Sequence, residues 1–148
     1  MSTLTESGTG TALARRLERI RMASFGALTM LILQFVIGVA YNLYGTVPTA
    51  TKSVGMFSSP LLAIHVILGI LLVIAAAVLV FRAVQAKSGP VLATSIIGLV
   101  AIIGAGVSGG QFAQNGAAGA SLGMAIATAV AMLCYAANLV IPLGKRQG

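Results

Sequence analysis

The chain has a single histidine, His65, and few other side chains able to do chemistry in an apolar setting. His65 lies about 8 Å past Pro60 if residues from 60 onward are helical, at 1.5 Å per residue. Asn42, Gln111, Asn115 and Met124 fall at comparable distances from the ends of their own apolar runs. If these side chains face inward, they line one polar pocket at a single depth. A buried neutral imidazole can ligate haem iron, and Met124 could supply a second axial ligand from another segment. The same pocket, built from His65, Met124, Asn42 and Gln111, could instead take a quinone. The simpler expectation is that His65 hydrogen-bonds Asn42 or Gln111 and fixes packing. A metal site is not expected, because no carboxylate or second imidazole accompanies His65.

Other polar residues read as glue. Gln34 shares a helical face with Gly38 and Asn42, and a mid-span amide needs a partner, either a backbone carbonyl or a Ser/Thr across the interface. Asn138 is expected to do the same. Tyr41, Tyr44 and Tyr135 lie near segment ends and read as interface anchors. The lone Cys134 rules out an intramolecular disulfide and reads as a small buried residue. Ser95, Ser108 and Ser121 have no histidine at helical spacing, and residues 104–110, though glycine-rich, follow no strand and make no phosphate loop. No catalytic residue and no enzyme activity are expected.

The elements that must position these residues follow from composition. Of 148 residues, 58% are hydrophobic and only 7% charged, against about a quarter charged in soluble domains. Mean hydropathy is +1.03. Four apolar runs, at about 22–44, 60–81, 90–112 and 119–141, each reach the ~20 residues that cross a bilayer. Pro60 and Pro90 suit first helical turns, while Pro142 and Gly144 are expected to stop the last helix. The fold class is therefore all-α: a polytopic, up-down-up-down bundle of four transmembrane helices. Residues 1–21 precede it. The first ten should be disordered, and residues 12–21 form an amphipathic segment with Leu13, Leu17 and Ile20 on one face. Cleavage of the first run as a signal is not expected, because it is long and carries Gln34.

Charge sets orientation. Net charge is +7, and the only acids are Glu6 and Glu18. Eight of the nine basic residues (Arg15, Arg16, Arg19, Arg21, Arg82, Lys87, Lys145 and Arg146) fall at one end of the bundle, and Lys52 alone at the other. Basic flanks stay cytoplasmic, so both termini and the 82–89 turn are expected inside a bacterial cytoplasmic membrane, facing anionic lipid heads. The loops 45–59 and 113–118 face outward. No basic patch is interleaved with aromatics, which excludes a nucleic-acid partner. The spans carry no Asp, Glu, Lys or Arg, whereas ion-coupled transporters place such groups in the membrane. Small four-helix multidrug exporters need a glutamate in their first span, and this chain has none. Helix association must come from small residues. Gly119, Gly123, Ala127 and Ala131 form a stripe at intervals of four on the last span, opposed by Ala101, Ala105, Ser108 and Gly109 on the third. Whether that stripe packs within the subunit or against another is open.

Four short motifs carry a resemblance: Asn42-Leu43-Tyr44 followed by Pro48; Ala63-Ile64-His65-Val66-Ile67-Leu68-Gly69; Gly104-Ala105-Gly106-Val107-Ser108-Gly109-Gly110-Gln111-Phe112; and Ser121-Leu122-Gly123-Met124-Ala125. With them, residues 22–142 resemble a family of small uncharacterised four-helix membrane proteins of actinobacterial type. That resemblance implies fold and membrane location, and no substrate. A looser similarity is to small membrane haem-binding cytochromes, which generally offer paired histidines where this chain has one. The function expected is a non-enzymatic accessory or oligomeric membrane component, in a homo-oligomer or a larger membrane complex. Haem or quinone binding around His65, or facilitated passage of a small neutral molecule, are the alternatives.

Overall fold

The structure is a computed structural model that describes the backbone of residues 3–144 and the side chains of residues 14–141. Four helices fill it: α1 (Thr3–Tyr44), α2 (Pro60–Gln85), α3 (Gly89–Asn115) and α4 (Ala118–Gly144). Each contains a stretch long and apolar enough to cross a membrane. At 1.5 Å per residue α2, α3 and α4 are each roughly 40 Å long, and α1 roughly 60 Å. The hydrocarbon core is about 30 Å thick, so all four overshoot it and α1 projects furthest.

The helix ends follow local chemistry. Ser59 caps α2, its hydroxyl accepting from the Leu62 N–H at 3.2 Å, with Pro60 in the first turn. Pro90 similarly sits in the first turn of α3. The two-residue step into α4 turns on Gly116, at φ +66°. A side chain there would be strained in backbone, and its Cβ would fall 2.3 Å from the Pro48 carbonyl oxygen.

Two boundaries differ from expectation. The backbone is helical from Thr3, where a disordered leader through Gly10 is expected, and the amphipathic segment continues the first span as one helix. A helix already nucleated extends at little cost. Leu17 and Ile20, on the expected apolar face, are buried while Arg15, Arg16 and Arg19 are exposed; the side chain of Leu13 lies outside the described residues. The helical backbone of α4 extends through Pro142 to Gly144, and the basic Lys145 and Arg146 lie outside the described residues.

Each helix packs on its two neighbours, in the cyclic order α1, α2, α3, α4, and no Cα atoms of diagonal helices come within 8 Å of each other. The α3–α4 interface is the most extensive. At one end, the Arg16 guanidinium donates to the Gln85 carbonyl at 3.0 Å, and Ile20 packs with Ala83, Ala86 and Val91. At the other, the Val54 N–H donates to the Ala113 carbonyl at 2.9 Å. The two odd loops thus meet at one end, and the basic segments at the opposite end, as antiparallel neighbours require. The central core is formed by Ala27, Leu31, Leu72, Ala76, Leu79, Ile102, Ala131 and Tyr135. Large apolar side chains such as Phe25, Ile67, Ile74, Val100, Ile126 and Leu133 point outward and are exposed. Patches this extensive do not persist in water; hydrocarbon is the solvent that suits them.

Candidate functional site

In the loop-end half, α1 and α2 are joined reciprocally. Gln34 on α1 reaches α2, where its Nε2 donates to the His65 carbonyl at 2.8 Å. That carbonyl belongs to the last turn before Gly69, and a Cβ on Gly69 would lie 3.2 Å from the Gln34 amide nitrogen. In return the His65 ring rests on α1 at Gly38, where a Cβ would lie 3.1 Å from Cε1. Each helix therefore presents one polar side chain and, four residues on, one glycine that receives its neighbour's. The amide partner expected for Gln34 is present, and it is a backbone carbonyl. The partner expected for His65 is not: Nδ1 is buried with no hydrogen bond, as is Gln34 Oε1.

At comparable depth α3 and α4 use the same device with smaller groups. Met124 Sδ lies 3.3 Å from where a Gly109 Cβ would stand, and Ser108 Oγ lies 3.3 Å from that of Gly123. The α4 stripe is thus used within the subunit at Gly123 and at the fully buried Ala131, while Gly119 meets nothing within 4 Å.

The four residues of the expected pocket are not brought together. His65 serves the α1–α2 interface and Met124 the α3–α4 interface, on diagonal helices whose Cα atoms nowhere come within 8 Å. Asn42 and Gln111 are exposed. Both amides sit on faces that the neighbouring helix leaves uncovered, so neither bonds to His65. Among the described residues no three His, Cys, Asp or Glu side chains gather as a metal site would require.

The basic-end half holds a polar cluster whose extent the sequence does not suggest. Asn138, fully buried, donates from Nδ2 to Ser95 Oγ at 3.2 Å, and its Oδ1 accepts from the Thr94 hydroxyl. Ser95 in turn donates to the Val91 carbonyl at 2.7 Å. One turn away Tyr135 is fully buried, its ring over Gly98, where a Cβ would lie 2.9 Å from Cζ. Its hydroxyl and that of the buried Ser24 on α1 lack partners. The anchor role expected for Tyr135 is therefore corrected: Gly98 opens a hole in α3 that draws the ring inward. Tyr41 is also largely buried, and its hydroxyl donates to the Thr46 carbonyl at 2.9 Å. Tyr44 is 87% exposed at the helix end, where an anchor belongs. Cys134 is half-buried.

Outside the interfaces, a cleft of about 590 Å³ opens at the loop end between the last turn of α1, the 45–59 loop and the first turn of α2. Its lining includes Tyr41, Tyr44, Lys52, Ser58 and Ser59. Sequence reasoning treats this stretch as a plain connection. The loop is instead pinned by paired backbone bonds between Thr49 and Lys52, at 2.9 and 3.1 Å, and by Val54 to Ala113.

No family model matches the chain, and no curated protein or solved structure is similar to it. Fold and geometry alone therefore carry the functional argument.

Proposed function

We propose that this chain is a non-enzymatic component of a bacterial cytoplasmic membrane, with both termini cytoplasmic, working as a self-associating or accessory subunit. The observation that carries this reading is the division of its helix glycines into two sets. Gly38, Gly69, Gly98, Gly109 and Gly123 receive side chains from within the subunit, whereas Gly26 on α1, Gly89, Gly104, Gly106 and Gly110 on α3 and Gly119 on α4 meet nothing within 4 Å; Gly106 and Gly110 stand four residues apart on one helix. In lipid, small residues on an outer face let a second helix approach closely. The polar groups buried in the spans support the same reading. Gln34, Thr94, Ser95 and Asn138 bond across helices, so these side chains serve as interhelical glue. The orientation rests on the basic residues gathered at the end of α1, α2 and α3 that holds Arg16 against Gln85, because basic flanks resist translocation. The resemblance to the actinobacterial-type family rests on the four motifs at 42–44 with Pro48, 63–69, 104–112 and 121–125.

The test is the mass of the particle in mild detergent, with compartment reporters fused to each terminus. A multiple of the 14.9 kDa chain and two cytoplasmic reporters are expected. A strictly monomeric protein without a partner in the native membrane would sink self-association, and reporters in opposite compartments would sink the topology.

A further inference from the structure

The loop-end cleft has the chemistry of a headgroup site. Its volume of about 590 Å³ is open, and Lys52 lines it together with the hydroxyl-bearing Thr46, Ser53, Ser58 and Ser59. Among the described residues Lys52 is the single basic one at this end, and both acidic residues of the sequence belong to the first half of α1, at the other end. The one described ion pair, Arg21 with Glu18, is there too. Among the described residues Lys52 is thus a cation without a counter-charge, and its backbone is fixed by the paired bonds to Thr49. Around the cleft the loop turns apolar side chains outward: Val47, Met56 and Phe57 are all exposed, as is Leu43 on the last turn of α1. A pinned cation and hydroxyls inside, with an apolar rim outside, match a molecule that is anionic at one end and hydrocarbon at the other. The membrane interface is where such a loop resides.

We propose that this cleft binds the phosphate of an anionic phospholipid, with Lys52 as its counter-ion and the loop hydroxyls as hydrogen-bond donors. The shared chemistry is a phosphate oxyanion, which a soluble phosphate also offers, and the apolar rim favours the lipid. The inference rests on the helices crossing a bilayer, and not on which face is cytoplasmic.

The chain contains no tryptophan, so Tyr44→Trp places a single indole in the cleft wall, excited selectively beyond the absorption of the remaining tyrosines. The protein is reconstituted in vesicles of phosphatidylcholine containing a small fraction of headgroup-labelled quencher lipid, either phosphatidylglycerol or phosphatidylcholine. Anionic quencher is expected to be enriched about fivefold over neutral quencher, the factor equivalent to ~1 kcal/mol for one basic residue at an anionic surface. Lys52→Gln should abolish the excess, Lys52→Arg should keep it, and Lys87→Gln at the opposite end should leave it unchanged. Equal quenching by the two lipids, or an excess that survives Lys52→Gln, overturns the site. Relief of quenching by millimolar inorganic phosphate in excess of an equal ionic strength of chloride overturns the lipid as occupant. Failure of the protein to insert into vesicles at all would count instead against the membrane-spanning reading.

Discussion

The α1–α2 contact in the loop-end half and the α3–α4 contact in the basic-end half solve one problem in two ways. Lipid supplies no hydrophobic drive for helices to associate, so both must rely on close approach and interhelical hydrogen bonds. Between α1 and α2 within the spans' loop-end half the polar contribution is one bond, from Gln34 to a carbonyl that is already part of the helix ladder, beside a half-buried His65; a further α1–α2 bond, Arg16 to Gln85, lies at the basic end. Between α3 and α4 it is a closed set, Thr94, Ser95 and Asn138, with Asn138 and Ser95 fully buried. Removing the first leaves a carbonyl that keeps its backbone partner. Dismantling the second leaves an amide in hydrocarbon. The α3–α4 pair is therefore the committed interface of the bundle, and α1–α2 the more forgiving one.

The largest effect is expected at Gly98. A leucine there would meet Tyr135 within 2.9 Å of its Cβ. Tyr135 is fully buried and cannot swing aside without opening the core it shares with Leu79, Ile102 and Ala131. Overpacking a dense core costs typically 1–3 kcal/mol and occasionally more, and Gly98→Leu belongs at or above the top of that range. Reversible unfolding in mixed SDS and mild-detergent micelles measures it. Gly69→Leu, against a flexible Gln34 amide, should cost clearly less, and an equal loss at both glycines would erase the contrast between the interfaces.

The polar groups refine it. Thr94→Val with Ser95→Ala strips Asn138 of both partners, and an unsatisfied buried amide costs about 1–3 kcal/mol. Asn138→Leu alone should cost less, because the Ser95 hydroxyl keeps the Val91 carbonyl and Thr94 keeps those of Pro90 and Val91. Gln34→Leu should be milder still, at about 0.6 kcal/mol, the average for a membrane interhelical bond. The order, double variant above Asn138→Leu above Gln34→Leu, is read by the same micelle unfolding, and an inverted order would mean that α1–α2 is the committed interface.

How much of this was legible beforehand depends on whether one helix or two were needed to see it. The four helices were legible because each is a property of its own segment: the apolar runs opening at Pro60 and Pro90 begin α2 and α3 within a residue. α2 runs on past Arg82 to Gln85, because loss of hydrophobicity ends a membrane span and not a helix. The need of Gln34 for a partner, a backbone carbonyl or a Ser/Thr, was also legible, since an amide at that depth has few choices, and the carbonyl is the one it takes. What could not be read is inter-helix register. Tyr135 near a span end resembles an anchor until Gly98 is placed opposite it, and His65 resembles a ligand until Gly38 is placed beneath its ring. The depth shared by His65, Asn42, Gln111 and Met124 was inferred from rise per residue, which says nothing about rotation, and rotation sets Asn42 and Gln111 on exposed faces.

The smallest effect on stability is expected at Gly106, and it bears most directly on function. Gly106 is exposed on α3, and a Cβ there would meet nothing within 4 Å. Leucine is a better helix former than glycine by up to about 1 kcal/mol, so Gly106→Leu should leave unfolding unchanged or slightly improved. If α3 presents Gly106 and Gly110 to a second subunit, the same change holds the two backbones apart and lowers the particle mass in detergent toward the single chain. Gly109→Leu, three residues further along but facing Met124, should do the reverse, weakening the fold before it touches assembly. A Gly106→Leu protein as stable and as large as the native one would mean that this face meets lipid alone, and the subunit contact would have to be sought on another helix.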